Sequence, residues 1–189
     1  MESALIISYA QKSADSLAEI LRAASISHIV ILKSCGEARR LLLEQDFDLV
    51  VVNGPLPDES GEDLSMDVAS KGVSQVILLV KGEFYEMVSA AVEDEGVLTV
   101  AKPVDKALFW SALTLARSAG KRIRRVQDEN AKLKRRIEDI RVTDRAKCIL
   151  ISHMNMSEQD AHRYIEKQAM DLRSTKRAVA EGILKVYGT

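Results

Sequence analysis

Five short runs of apolar, largely β-branched residues recur through the first half of the chain, and they constrain its fold more than any other feature. They lie at residues 4–7, 29–32, 49–52, 76–80 and 97–101. Runs that are apolar at nearly every position are typical of parallel strands whose two faces are both covered. Between the runs, apolar residues recur at helical spacing, as at Leu17, Ile20 and Leu21. This alternation predicts a doubly wound α/β domain with a five-stranded parallel sheet, for which the order 2-1-3-4-5 is favoured.

The residues that follow these strands decide what chemistry the domain can carry, because ligand sites in such sheets lie beyond the carboxyl ends of the strands. Those residues are Ser8 and Tyr9 after the first run, Asn53 after the third, Val80 in the fourth and Lys102 after the fifth. None of them is a carboxylate, thiol or imidazole. We therefore expect no metal site, no cofactor and no enzymatic activity here.

Two segments of this domain resemble the CheY-like (flavodoxin-like) receiver domains of response regulators. Residues 48–61 are similar to their third strand and phosphoacceptor loop, and residues 100–104 to their last strand with its active-site lysine, here Lys102. The resemblance predicts a receiver-like domain over residues 1–117. It implies that Asn53 occupies the phosphoacceptor position. It also implies that Ser8 and Tyr9 stand where receivers hold Mg²⁺ with an acidic pair.

These substitutions predict a degenerate receiver site. The amide of Asn53 has neither the charge nor the nucleophilicity of a carboxylate, and Val80 replaces the hydroxyl that binds a phosphoryl oxygen. A lysine without a metal supplies too little charge to stabilise a transferring phosphoryl group. We expect a pseudo-receiver in which Lys102 has a structural role and donates to the Asn53 carbonyl or another backbone oxygen. Asp58 is the alternative acceptor, although no metal ligand accompanies it.

The net charge of −1 hides a division between the two halves of the chain. Residues 1–116 hold 9 Lys and Arg against 18 Asp and Glu, whereas residues 117–189 hold 18 against 10. The basic half favours an anionic partner such as nucleic acid, and a solvated basic helix face is the alternative. No apolar run could cross a bilayer, and Cys35 and Cys148 match no metal-ligand spacing. We expect a cytoplasmic protein that binds neither membranes nor metal ions.

From residue 116 onward the apolar residues follow a heptad repeat, which predicts a coiled-coil dimerisation helix over residues 118–143. A single polar residue at an a position favours a parallel homodimer, because paired asparagines satisfy each other across the seam. The alternative is a long helix packed on its own receiver domain. Gly120 lowers local helix propensity and is interpreted as a joint. The predicted seam residues are Ile123, Val126, Asn130, Leu133, Ile137 and Ile140.

The C-terminal segment, residues 136–189, has the pattern of a bundle of three short helices. Ser157 is predicted to cap the second helix, and Ser174 or Thr175 the third. The predicted inward residues are Ala161, Ile165, Ala169 and Leu172 in the second helix, and Val179, Ala180 and Ile183 in the third.

This segment resembles the ANTAR domain, the RNA-binding output domain of transcription antiterminators, over residues 136–184. The residues that carry the resemblance are Arg145, Lys147, Leu150, Ser157, Glu158, Ala161, Ile165, Ala169, Met170, Val179, Ala180, Ile183 and Leu184. The order of pseudo-receiver, coiled coil and ANTAR domain is that of AmiR-type regulators. The resemblance implies binding to paired hairpins in leader RNA, which prevents a terminator from forming.

Basic side chains of the three helices are the candidates for contacts with RNA phosphates. His162 and Tyr164 are candidates either for stacking on a base or for packing in the bundle. The predicted phosphate contacts are Arg145, Lys147, Arg163, Lys167, Arg173, Lys176 and Arg177.

The sequence thus predicts an antitermination regulator that works without phosphorylation and is controlled by a partner protein or by its oligomeric state. The alternative is a dimeric protein-binding adaptor or sequestering module with no specific RNA target. DNA binding is disfavoured, because no helix-turn-helix pattern is present.

Overall fold

The structure, a computed structural model, describes residues 1–187 and divides into two units, Met1–Arg124 and Arg125–Thr189. No helix within residues 1–187 is both long and apolar enough to span a membrane.

The first unit contains a five-stranded parallel sheet. The strands are β1 (Ser3–Ile7), β2 (His28–Leu32), β3 (Leu49–Asn53), β4 (Gln75–Lys81) and β5 (Leu98–Lys102). The order along the sheet is β2-β1-β3-β4-β5, and every neighbouring pair is parallel. Both the five strands and their order are confirmed, and each predicted strand end lies within one residue of the observed one.

Helices cover both faces of this sheet, which explains the continuous apolar runs. Alternate residues of a strand point to opposite faces, so Ala4 and Ile6 belong to one core cluster and Leu5 and Ile7 to the other. The helices are α1 (Gln11–Ala23), α2 (Cys35–Glu44), α3 (Glu62–Ser70), α4 (Tyr85–Val92) and α5 (Lys106–Met154), with 3-10 turns at Gly82–Phe84 and Glu93–Glu95. The first cluster includes residues of α1 and the start of α5, and the second includes residues of α2, α3 and α4.

Helix α5 is 49 residues long and continues without a break past residues 117 and 143. Within the first unit, Phe109 and Leu113 are buried against the sheet, and Arg124 forms an ion pair with Asp48. Gly120 lies inside the helix, where a Cβ atom would lie 3.2 Å from Gln75 Cγ. The interpretation of Gly120 as a joint is therefore wrong, because the glycine allows a close approach to Gln75 and does not interrupt the helix.

The second unit is a three-helix bundle formed by the C-terminal part of α5 together with α6 (Glu158–Asp171) and α7 (Lys176–Tyr187). The predicted caps are present: Ser157 Oγ accepts from Asp160 N at 3.1 Å, and Thr175 Oγ1 accepts from Ala178 N at 3.1 Å. The small alanines let the helices approach closely. The buried core consists of Val142, Ala146, Leu150, Ala161, Ile165, Ala180 and Ile183.

The inward placement predicted for Leu172 is wrong. Helix α6 ends one residue earlier, so Leu172 is the C-cap residue and its side chain is 65% exposed. Arg173 follows with a φ of 48°, which turns the chain away from the helix.

Candidate receiver site and nucleic-acid interface

The predicted receiver-site residues lie at the carboxyl edge of the sheet, as their places at the strand ends require. Tyr9, Asn53 and Lys102 line one cleft, whereas Val80 is buried and lines a different depression beside Gly54. Ser8 is almost fully buried, and the Tyr9 side chain is exposed. Within residues 1–187 no three His, Cys, Asp or Glu side chains come together in a way that could hold a metal ion.

The polar groups at this edge form neutral hydrogen bonds. Asn53 Nδ2 donates to Ser8 Oγ at 2.9 Å, and Ser8 Oγ donates to the Ala10 carbonyl at 3.2 Å. The predicted hydrogen bond from Lys102 to a backbone oxygen is present, and its acceptor is the Gly54 carbonyl. Burial, together with the charge of Lys81, lowers the pKa of Lys102.

Asp58, the alternative acceptor, is engaged at the start of α2. Its carboxylate accepts from Gly36 N at 2.8 Å and from Cys35 N at 3.2 Å. The hydrogen bond from Gly36 is the main cause of a lowered pKa at Asp58. These contacts favour a structural role, since the carboxylate supplies the acceptor that Gly36 and Cys35 need at the beginning of a helix.

The predicted seam residues of α5 are exposed on the single chain. The five aliphatic residues are between 39% and 57% exposed, and Asn130 is also exposed. These aliphatic residues are Ile123, Val126, Leu133, Ile137 and Ile140.

Three of the seven predicted RNA-contact residues line one cleft of the second unit and carry ion pairs. The cleft, of about 500 Å³, is lined by Lys147, Lys176 and Arg177, with Arg136 and His162 beside them. Their carboxylate partners neutralise much of their charge. Lys147 pairs with Asp144 at 2.8 Å and Glu158 at 3.2 Å, Arg177 with Asp139 at 2.9 Å and Glu181 at 2.8 Å, and Lys176 with Glu166.

These contacts also change the acidity of the groups involved. The hydrogen bond with Asp144 raises the pKa of Lys147, and the hydrogen bond with Asp139 raises that of Arg177. The hydrogen bond from Lys176 lowers the pKa of Glu166.

The other four predicted contacts are Arg145, Arg163, Lys167 and Arg173. They are exposed and form no ion pair with any residue that the structure describes. His162 and Tyr164, also on α6, are exposed as well, and His162 Nε2 lies 3.2 Å from Glu166 Oε1.

A further group of cations on α5 was missed by the sequence reasoning. Residues 117–141 hold 10 Lys and Arg against 4 Asp and Glu, whereas residues 142–189 hold 8 against 6. Counting charge by segment would have shown that most of the basic excess precedes the bundle core. Within residues 131–141, we call the exposed cations that pair with no described residue the α5 cations: Lys132, Lys134, Arg135, Arg136 and Arg141.

Comparison with known proteins identifies both parts of the chain. The ANTAR domain family matches residues 131–184. The transcriptional regulatory protein PdtaR of Mycobacterium tuberculosis is 30% identical over 173 residues, which is 92% of this chain and 84% of PdtaR.

Solved structures at low identity support the fold of the first part. The signal receiver domain of an HD domain-containing protein from Pseudomonas fluorescens Pf-5 is 19% identical, with a TM-score of 0.57 over 65% of this chain and 91% of that one. A two component transcriptional regulator AraC from Clostridium phytofermentans ISDg is 19% identical, with a TM-score of 0.58 over 66% of this chain and 98% of that one. This chain belongs to the family of response regulators that join a CheY-like receiver domain to a C-terminal ANTAR RNA-binding domain.

Proposed function

We propose that this chain is a transcription antitermination regulator that binds paired hairpins in leader RNA through an ANTAR domain at residues 136–189. Residues 118–143 form its homodimerisation helix. Residues 1–117 form a pseudo-receiver that is controlled, without phosphorylation, by a partner protein or by oligomeric state. The protein acts in the cytoplasm, uses no cofactor and catalyses no reaction. The main support is the ANTAR match over residues 131–184, on a unit that presents exposed and unpaired cations.

The outer face of α6 supports RNA binding. Arg163 and Lys167 are four residues apart, so they share one face of the helix and can contact neighbouring phosphates of one strand. His162 and Tyr164 are exposed on the same helix, where a ring can stack on an unpaired loop base. Two copies of this unit in a dimer suit an RNA that carries two hairpins.

The edge of the receiver sheet supports control without phosphorylation. Asn53 binds Ser8 through its amide, and Lys102 is hydrogen-bonded to the Gly54 carbonyl. Neither a nucleophilic carboxylate nor an acidic pair for Mg²⁺ stands at the positions where a receiver needs them.

The heptad pattern and exposure of α5 support the homodimer. In a parallel pair of helices, Glu129 at a g position would meet Lys134 of the second copy at e, which is an attractive contact. Arg136 at g and Arg141 at e would instead bring like charges together. RNA phosphates beside the bundle would relieve that repulsion, so the two parts of the proposal support each other.

The test is a binding titration with three nucleic acids of equal charge: a two-hairpin leader RNA, the same stems with altered loop bases, and duplex DNA. We expect tight binding only to the first, and read-through of a downstream terminator in transcription with purified components. Lys71→Ala, on the exposed end of α3, serves as the control for removal of a remote charge.

The ion pairs of Lys147, Lys176 and Arg177 favour one alternative, a protein-binding adaptor with no specific RNA target. In that case cations already neutralised by carboxylates would stabilise the bundle without contacting phosphates. Equal binding to all three nucleic acids, with no effect on termination, would support the adaptor and contradict antitermination.

A further inference from the structure

One cleft of the first unit lies where a receiver is phosphorylated, and its lining is basic. Its volume is about 570 Å³, which is within the range of small-molecule sites. Lys12, Lys102 and Lys106 line it, and none of its lining residues is acidic. A receiver site that holds Mg²⁺ needs the opposite charge, because the metal is bound by carboxylates.

Two of the three lysine charges in this cleft are open to a ligand, since Lys102 donates to the Gly54 carbonyl. Lys12 and Lys106 are exposed and form no ion pair with any residue in the range 1–187. The carboxylates nearest to them along the chain have other hydrogen bonds. Asp15 accepts from Gln11 Nε2 at 2.9 Å, and Asp105 accepts from Ala107 N at 3.2 Å.

The N-terminus of α1 adds a second positive element at the same cleft. The N-cap residue Ala10, together with Lys12 and Ser13 of this 13-residue helix, belongs to the lining. The N-cap residue is alanine, which supplies no side-chain acceptor, and no acidic residue lies in the first turn. Free N–H groups at a helix N-terminus favour an anion. Ser13 N donates to the Ala10 carbonyl at 3.1 Å, whereas neither a cap nor a carboxylate satisfies the N–H groups of Gln11 and Lys12.

The remaining lining shows what kind of anion would fit. The hydroxyls of Ser13 and Ser16 donate to no described residue, and Asn53, whose Nδ2 donates to Ser8 Oγ, lines the same cleft. Leu17, Ile20 and Val104 contribute an apolar part. An inorganic ion would leave that apolar part in contact with water.

We propose that this cleft binds a small organic anion, a carboxylate or a phosphate monoester with an apolar body, without a metal ion. The anionic group contacts Lys12, Lys106 and the start of α1, and the apolar body packs on Leu17, Ile20 and Val104. The inference goes beyond the proposed function, which assigns no small-molecule ligand to the receiver-like domain.

The test follows backbone amide NMR shifts of the full-length chain, without Mg²⁺ and without RNA, during titration with defined probes. Benzoate and phenyl phosphate are the anionic probes and separate a carboxylate from a phosphate monoester. Benzyl alcohol keeps the apolar body without the charge, and inorganic phosphate keeps the charge without the body. We expect saturable shifts at Lys12, Ser13 and Lys106 with at least one anionic probe. The affinities for benzyl alcohol and inorganic phosphate should be lower by about tenfold or more.

The double variant Lys12→Ala with Lys106→Ala should lower the affinity for the anionic probe by about tenfold or more, whereas Lys71→Ala should leave that affinity unchanged. Unaltered amide spectra away from the cleft would show that the double variant is folded. No saturable shift with any anionic probe would overturn the proposal, as would equal binding by the double variant. Because RNA is absent, failure here is distinct from a failure of antitermination, which the leader-RNA titration measures.

Discussion

An amide at position 53, where receivers have an aspartate, changes the direction of a hydrogen bond as well as the charge. Asn53 Nδ2 donates to Ser8 Oγ, which leaves the Ser8 hydroxyl proton for the Ala10 carbonyl. A carboxylate at this place could only accept, and the Ser8 hydroxyl would have to turn toward it. The observed bonds satisfy the buried Ser8 hydroxyl without any ion.

The protein should therefore not be labelled by acetyl phosphate, and beryllofluoride with Mg²⁺ should not change its spectra. Asn53→Asp should remain unlabelled too, because Ser8 and Tyr9 supply no carboxylate for the metal. The measurement is mass spectrometry of the intact chain, with an active receiver domain as the positive control. A base-labile acyl phosphate on any residue of 1–116 would contradict the pseudo-receiver.

At the scale of single residues the sequence could identify positions but not partners. Ser8, Asn53 and Lys102 were found because strand ends can be read from the pattern of apolar runs. The carboxylate partners of Lys147 and Arg177 are different. Glu158 lies on another helix from Lys147, and Asp139 is 38 residues from Arg177, so only the packed bundle brings them together.

Helix α5 is the element whose extent was hardest to predict, because no N-cap, proline or C-terminal glycine interrupts it between residues 106 and 154. The strands were easier to place, since a buried parallel strand is apolar on both faces and is bounded by polar residues. Leu172 shows the limit at helix ends: the apolar periodicity continues past Asp171, but the helix ends there and Leu172 is its C-cap residue.

Gly120→Ala should stabilise the first unit by about 0.5–1 kcal/mol, because alanine is favoured over glycine inside a helix by about that amount. The new Cβ would meet Gln75 Cγ at 3.2 Å, and the flexible Gln75 side chain can move by the small distance required. Gly120→Val is the control at the same position, because its γ methyl groups crowd Gln75 and should cancel the gain. Urea denaturation measures the free energy of unfolding of both variants, and a clear loss of stability for the alanine variant would contradict this account.

The double variant Leu133→Asp with Ile137→Asp should make the protein monomeric. Each chain would bring two carboxylates into an apolar seam, where unpaired charge is strongly disfavoured. Lys132→Asp with Arg135→Asp is the matched control, because it places two carboxylates on the outer heptad positions of the same helix. Sedimentation equilibrium should show a dimer for the wild type and the control. A wild-type monomer at micromolar concentration would exclude the coiled coil.

Over the whole chain, charge is the property that separates the two functional parts. The acidic first part would repel RNA, whereas residues 117–189 would attract it. The excess is spread over the α5 cations and the unpaired cations of the bundle, all of which lie within the ANTAR match at residues 131–184. A long basic surface of this kind increases affinity for any polyanion, and specificity must then come from the loop bases.

RNA affinity should consequently fall steeply as salt rises, by about 0.7 log units per log unit of salt for each phosphate contact with a single strand. Lys167→Ala should weaken binding and reduce the salt slope by the amount that corresponds to about one phosphate contact. The reason is that this side chain has no carboxylate partner among the described residues. Lys176→Ala should weaken binding with a smaller change in slope, since its charge is already shared with Glu166. Lys71→Ala should change neither quantity. Anisotropy titrations of a two-hairpin leader RNA at several salt concentrations measure the affinity and the salt slope of the wild type and the three variants. A slope that is the same in the wild type and Lys167→Ala would show that Lys167 does not contact a phosphate, and would contradict the proposed contacts on the outer face of α6.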